Sequence, residues 1–352
     1  MLSAIIILVG LSLLILVHEL GHFIAAKKAG LLVEEFGFGF PPRIFAKKFG
    51  ETEYSINWLP FGGFVRIYGE RTVEAGESPK EVIGKEEKID KSRSFSHQSA
   101  WKRFVIMGAG IAINFFVGWI LLSLVFMIGT RPAILITEVL DNTPAFSAGL
   151  MSGDVVLGFS DDGEFISTMA GSAGEEVAFQ VLRGNETVDI SIVPRTVEQA
   201  GGQGALGVMI AKAGVEGQSF FTAIYSGLKM SILGMGEILR AFGSLLADLF
   251  GHASIPANIV GPVGIFGIAD QLGSLGFVFL LQLIGIISLN LAVLNFIPFP
   301  ALDGGRILFL IIEKIKGSPL SAKAEIWANA VSFVFLILLM VVITGRDIIN
   351  LF

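Results

Sequence analysis

Apolar residues along this chain gather into four long runs, separated by segments of a different pattern. The first runs from Leu2 to Ala26, the second from Phe104 to Ile128, the third from Phe277 to Ile297, and the fourth from Asn329 to Thr344, extending back toward Ile326. About 20 apolar residues in a row are what a helix needs to cross a bilayer, so each run predicts a span. A further stretch, Ser219 to Phe250, is helical in pattern but interrupted by Lys229, Glu237, Arg240 and Asp248. It predicts an amphipathic helix lying on or dipping into the membrane; as a fifth span it would invert the third and fourth. After the second run the pattern shortens. ILITEVLDNTPAFSAGLMSGDVVLGFSDDGEFI reads as a strand, a Thr-Pro turn, a short helix, a Gly-Asp turn and a strand. EEVAFQVLRGNETVDISIVP reads as a hairpin turning at Arg183-Gly184-Asn185, and the alternation in TVDISIV marks a half-buried strand.

Composition agrees with a membrane protein. Of 352 residues, 53% are hydrophobic and 16% charged, and the mean hydropathy is +0.73, too apolar for an ordinary soluble chain. The net charge of −6 argues against a nucleic-acid partner. With no cysteine, disulfides, thiolate metal sites and cysteine nucleophiles are excluded, so a metal has to be held by His, Asp, Glu or Asn, and there are four histidines. Charge also orients the spans. Residues 27–103 carry 14 Lys or Arg, whereas residues 131–271 carry six basic against 15 acidic residues. Arg306, Lys314, Lys316 and Lys323 follow the third span. The positive-inside rule then places the first and third loops in the cytoplasm, and the middle domain and both termini outside. The first run has no basic region before it and no A-x-A-like cleavage site, so it is expected to be a retained span rather than a signal peptide.

Inside that first span stands HELGH, residues 18–22. Ionisable groups are expensive at membrane depth and are kept there for function. His18 and His22 lie four apart, hence on one helix face, and can point two imidazoles at one zinc ion. Glu19 sits about 100° round the helix, where it can take a proton from an attacking water without ligating the metal. Catalytic zinc usually has a third protein ligand. His97 lies in a charged cytoplasmic segment and His252 in an outer loop, so both read as solvated. Asp303 is the better candidate. It follows the third span in NFIPFPALDGG, where Pro298 and Pro300 stop a regular helix. Taken alone, Asp303 would read as an N-cap for GGRILFLIIEKI; beside an unfinished zinc site, the ligand reading is the stronger.

HELGH together with NFIPFPALDGG resembles the site-2 protease family of intramembrane zinc metalloproteases, peptidase family M50, and within it the bacterial branch like RseP, regulator of sigma-E protease. The resemblance extends to LPFGGFVRIYGE, similar to the family's membrane-associated β-hairpin loop, and to MGAGIAINFFVGWIL, similar to its second span, usually A-G-P-x-x-N. It also takes in IVGPVGIF and TPAFSAGLMSGDVVLGF, the latter similar to the family's PDZ-domain signature. Ile111 stands where the family usually has proline. The resemblance implies His18, His22 and Asp303 as Zn2+ ligands and Glu19 as catalytic base. It implies Asn295 as a residue that helps hold the substrate strand. Asn290 matches a second asparagine of that span, for which interhelical hydrogen bonding is an equal alternative. The hairpin edge at Gly62, Gly63, Phe64 and Val65 is a plausible partner for an unwound substrate.

The expected fold is therefore a polytopic α-helical membrane protein with four transmembrane helices, a membrane-associated β-hairpin loop and a small PDZ-like β-rich domain. Its parts are 1–30, the first span; 31–103, the cytoplasmic and hairpin region; 104–128, the second span; 131–196, the extracytoplasmic PDZ-like domain; 217–275, the amphipathic helix and GPVG linker; 276–312, the third span; and 326–346, the fourth. The PDZ-like domain is shorter than the family's. Only TMAGSAG separates GEFIS from EEVAF, where a helix forming one wall of the peptide groove is expected, which puts strand-addition binding in question. The resemblance implies an intramembrane endopeptidase of the bacterial inner membrane, surrounded by lipid. Its implied substrates are transmembrane proteins such as anti-sigma factors or remnant signal peptides. Nothing in the sequence specifies an oligomeric state. One rival is an inactive protease-like membrane scaffold, disfavoured because all four site residues are present. The other is a metal transporter, disfavoured by Glu19 in a base position and the absence of inverted repeats.

Overall fold

The computed structural model describes residues 2–70, 90–130, 133–159, 161–183, 186–200, 204–252, 260–318 and 320–349. The turn residues Gly184 and Asn185 lie outside the described residues. In chain order the elements are α1 (Leu2–Lys28), β1 (Val33–Phe49), β2 (Thr52–Ile67), α2 (Ala100–Ile128), β3 (Ala133–Val139), α3 (Pro144–Ser147), β4 (Val155–Val156), α4 (Asp162–Gly171), β5 (Val177–Arg183), β6 (Glu186–Ile192), α5 (Val197–Ala200), β7 (Val208–Ala213), α6 (Phe220–His252), α7 (Pro262–Leu275), α8 (Phe277–Phe296), α9 (Asp303–Lys316) and α10 (Ala322–Ile349). This is a multi-pass membrane architecture of long apolar helices with, among the described residues, two β-sheets. Among the described residues five helices are long and apolar enough to cross a bilayer: Leu2–Lys28, Ala100–Ile128, Phe220–Leu249, Phe277–Phe296 and Lys323–Ile349. The additional one, within α6, is the stretch whose charges marked it as amphipathic. The third apolar run does not continue as one helix to residue 312. α8 ends at Phe296 and α9 begins at Asp303, because prolines at 298 and 300 supply no N–H and restrict the residues before them.

The chain forms two compact units. One comprises Leu2–Leu122, Leu228–Phe266 and Leu283–Phe352, the other Ser123–Gly227 and Gly267–Gln282. In the first, helices pack through glycines. Lipid tails are as apolar as leucine, so helix association there rests on close backbone approach and van der Waals contact. A Cβ on Gly21 of α1 would lie 2.7 Å from the Ala109 carbonyl oxygen of α2, and one on Gly118 of α2 would lie 2.7 Å from Leu289 Cδ2 of α8. β1 and β2 form an antiparallel pair in which each strand bends, β1 near Pro41-Pro42 and β2 near Pro60. The pairing is consequently used twice. Phe36 faces both Tyr54 and Val65, and Phe38 both Ile56 and Gly63. Segment 63–67 is thereby an edge, paired to β1 on one side and to no second strand among the described residues. The hairpin is pinned to α1, where Ser12 Oγ donates to the Pro60 carbonyl at 2.6 Å. The hairpin also buries Glu35, whose carboxylate accepts from Arg43 at 2.7 Å and from Ser55 Oγ at 2.6 Å.

The second unit holds a five-stranded antiparallel sheet in the order β6-β5-β4-β3-β7. Its core gathers Ile134, Ile136, Val181, Ile190 and Ile192 with Phe165 and Met169 of α4. Thr143 caps α3 with Pro144 at its start. Two features differ from the sequence reading. A ten-residue helix, α4, occupies the place where the wall helix is expected to be missing; it begins at Asp162, inside residues the pattern assigns to a strand. Its start is fixed by Asp161, whose side chain accepts from Glu164 N at 2.8 Å. The sheet also takes its fifth strand, β7, from beyond residue 196, where the pattern ends the domain.

Candidate active site

Helical spacing brings His18 and His22 together on α1, their ring centroids 4.8 Å apart. What aims them is α2. His22 Nδ1 donates to the Ile106 carbonyl at 2.8 Å, which leaves its Nε2 as the bare, lone-pair nitrogen. His18 Nδ1 lies 3.3 Å from the side-chain amide of Asn114, which is fully buried. Between these two positions on the same helix face comes Gly110. A Cβ there would lie 2.8 Å from Cε1 of both histidines and closer still to His22 Nε2. The rings therefore occupy space that any other residue at 110 would fill.

The acid comes from the break after α8. Leu302 is the N-cap of α9 and makes no side-chain cap bond, so Asp303 is the first helical residue and does not serve as the cap. Its Oδ2 lies 2.9 Å from His18 Nε2 and 3.1 Å from His22 Nε2, which are 3.2 Å apart. The two glycines after it make this reach possible. A Cβ on Gly304 would lie 2.6 Å from the Phe296 carbonyl carbon, and one on Gly305 would lie 2.5 Å from that of Phe299. α9 can thus start hard against the turn that precedes it.

The three donor atoms form the one group of metal-ligating side chains with convergent geometry among the described residues. Their spacings of 2.9 to 3.2 Å are close to the roughly 3.3 Å edge of a tetrahedron with 2.0–2.1 Å bonds to a central ion. Two neutral imidazoles and a carboxylate suit zinc. Glu19 lines the same cavity, of about 430 Å³, with Phe64, Val65, Asn295, Glu70 and Arg306. Arg306 donates to Glu70.

The remaining sequence-selected residues divide. Asn295, Phe64 and Val65 line the cavity. Gly62 and Gly63 lie against α1, where a Cβ on Gly63 would stand 3.3 Å from Leu16 Cδ1 and 3.8 Å from Glu19 Cγ. Asn290 turns away, donating Nδ2 to the Ile286 carbonyl of its own helix at 3.2 Å. His97 sits in a short turn beside Ser96 Oγ. Gly110, Asn114, Glu70 and Arg306 escape sequence reasoning. For Asn114 a signal exists, since a lone asparagine in an apolar span is itself costly; the other three become visible only when the helices are placed.

The chain matches the model of Peptidase family M50 over residues 6–339. It is 35% identical over 349 residues to a Clostridium perfringens protein named as a zinc metalloprotease, covering 97% of each. It is 29% identical over 412 aligned positions to the regulator of sigma-W protease RasP of Bacillus subtilis, covering 96% of each. A Staphylococcus aureus protein also named as a zinc metalloprotease is 27% identical, with 95% of each chain covered.

Proposed function

The chain belongs to peptidase family M50 and is an intramembrane zinc metalloprotease, and from that premise we propose that His18, His22 and Asp303 hold the zinc and that Glu19 is its general base. The observation that carries this is the convergence of the three donor atoms from two separate stretches of chain. When bound, zinc acidifies a water molecule and polarises the carbonyl to be cleaved. Glu19 takes the proton of the attacking water and returns it to the departing amine nitrogen. A transmembrane helix shields its amides, so its backbone has to be drawn out before attack. The edge at 63–67 offers unpaired backbone groups beside the cavity, and Asn295 offers an amide donor and acceptor across from it. Glycine at 63 lets the edge approach β1 closely, since a Cβ there would lie 2.8 Å from the Gly37 carbonyl oxygen.

The substrates we propose are membrane-anchored proteins, anti-sigma factors and remnant signal peptides among them; the Bacillus relative is named as a regulator of sigma-W protease. The basic residues of 27–103 favour a bacterial plasma-membrane protein with that loop inside and the five-stranded domain outside. Direction supports four spans. Ligands come from the C-terminal half of α1 and from just past the C-terminal end of α8, so these helices run the same way. A lone crossing by α6 would put Asp303 and the histidines on opposite sides. The outer domain reads as PDZ-like. A groove of about 670 Å³ between α4 and the edge strand β7, lined by Ile166, Met169, Val208 and Ile210, fits an extended chain added beside β7.

The deciding experiment is cleavage of a tagged transmembrane substrate by wild type and Glu19→Gln. The variant should keep its fold and zinc and lose at least about 100-fold in rate, the usual worth of a general base. Activity within about tenfold of wild type would refute the assignment.

A further inference from the structure

Both histidines present their outer nitrogens to one face of α2, at positions 106, 110 and 114. Position 106 supplies a backbone carbonyl and position 110 supplies empty space. Position 114 supplies an amide. As placed, Asn114 Nδ2 faces His18 Nδ1 at 3.3 Å, while Oδ1, buried from solvent, has no hydrogen-bond partner. A donor facing Nδ1 would force the ring proton onto Nε2, the nitrogen that must be bare to bind a metal. The two ends of an amide have nearly the same shape, so their assignment follows from the hydrogen-bond network rather than from packing. Turned by 180°, the same side chain puts its acceptor against His18 Nδ1. Metal-bound histidines nearly always donate their second ring N–H to such an acceptor, which fixes tautomer and ring angle.

Resting on the zinc-site reading above, we propose that Asn114 is a positioning residue: its Oδ1 accepts the Nδ1–H of His18 and holds Nε2 toward Asp303 and His22. Its contact in the site is with His18, through which it acts, although it also lines the cavity wall. His22 needs no such side chain, because Ile106 gives it a carbonyl. The backbone at 114 has a separate structural task, accepting from Ser288 Oγ at 2.7 Å, and side-chain variants leave it in place.

The experiment uses the full-length protein in detergent, with zinc affinity measured by chelator competition and the cobalt(II) absorption spectrum as second readout. Asn114→Leu, similar in size and without an acceptor, should weaken zinc binding about 10- to 100-fold and shift the cobalt spectrum. Asn114→Asp, which can accept but not donate when ionised, should restore both to within about threefold of wild type. His18→Ala is the reference. If it binds zinc as wild type does, the metal-centre assignment itself fails; if it loses zinc while Asn114→Leu does not, only the Asn114 role fails. Should Asn114→Leu not fold, Asn114→Ala takes its place with the same expectation. Asp behaving no better than Leu or Ala would overturn the proposal, since a side chain that merely fills space is not rescued by an acceptor.

Discussion

Gly110→Ala adds one methyl group, and the structure says where it would go. The new Cβ would stand 2.8 Å from Cε1 of both His18 and His22, against an ordinary carbon–carbon contact of about 3.5–4.0 Å. The rings would have to retreat by at least about 0.7 Å, whereas metal–ligand distances hold to about ±0.2 Å. α2 cannot give way instead, because Gly21 already brings α1 against the Ala109 carbonyl. Overpacking of this kind costs about 1–3 kcal/mol. If that falls on the metal-bound geometry, zinc affinity drops about 5- to 150-fold, at 1.4 kcal/mol per factor of ten. Gly108→Ala is the matched control, two residues away on the same helix with nothing within 4 Å of its Cβ. Chelator competition on both purified variants, with thermal unfolding of the metal-free forms, makes the comparison. Wild-type zinc affinity in Gly110→Ala, or equal damage from Gly108→Ala, would refute the idea that α2 is shaped around the histidines.

Asp303→Ala should leave a two-histidine site and a sharp loss of zinc; full stoichiometric zinc in that variant, measured by atomic emission, would remove Asp303 from the ligand set. Asn295→Ala, and Val65→Pro at the edge strand, should keep zinc but slow cleavage of a stable helical substrate more than of one carrying helix-breaking residues near the cut; equal losses on both would leave the edge without a role in unwinding. Labelling should reach a cysteine placed at Asp161 from outside and one placed at Lys47 from inside, and reaction of both from one side would mean the span count is wrong. Glu51 receives hydrogen bonds from Arg93 at 2.8 Å and from Lys27 at 2.6 Å, which hold its carboxyl down at about 2. Because the folded value is depressed, this anchor of the hairpin is fully present above the ordinary carboxylate value near 4.5 and is lost as pH falls toward about 2. Protease nicking of the hairpin should therefore speed up in wild type as pH falls from 5 to 3, while Glu51→Gln should be nicked faster at pH 5 and change less with pH, so that the two converge; a wild type insensitive to pH over this window would refute the anchor.

The candidate site residues are legible because each stands where its type is costly: two histidines and a glutamate in an apolar span, and an aspartate after a proline-broken one. Asp303 alone reads as a helix cap, and only the unfinished histidine pair favours the ligand reading; in the structure Leu302 is the N-cap and Asp303 Oδ2 faces both histidines. α4 was hidden for a local reason. Its sequence DGEFISTMAG includes two glycines and an apolar pair, Phe165 and Met169, too short a period to outweigh the strand pattern before it. The Asp161 cap was the signal available. β7 was hidden for a non-local one, as it pairs with β3, more than 60 residues earlier in the chain. Gly110 and Gly304 read as ordinary small residues until their neighbours are in place.

A hydrolase at membrane depth has to admit water where lipid excludes it, and the site's surroundings answer that need. Unsatisfied backbone is tolerated within the bilayer only where it is buried in protein or lines a wet cavity. The irregular stretch between Phe296 and Asp303 meets that condition, because Ala301 and Leu302 line the same cavity as His18, Glu19 and His22. The Arg306–Glu70 pair lines it too, and charges there hold solvent that an apolar wall would expel. The break in the third apolar run thus has two consequences at once. It turns Asp303 toward the histidines, and it sets irregular backbone, tied by its own turn hydrogen bonds from Phe299 N to Ile297 O and from Leu302 N to Phe299 O, along the cavity wall. A continuous helix from 277 to 316 would satisfy its own backbone and leave Glu19 facing a dry wall.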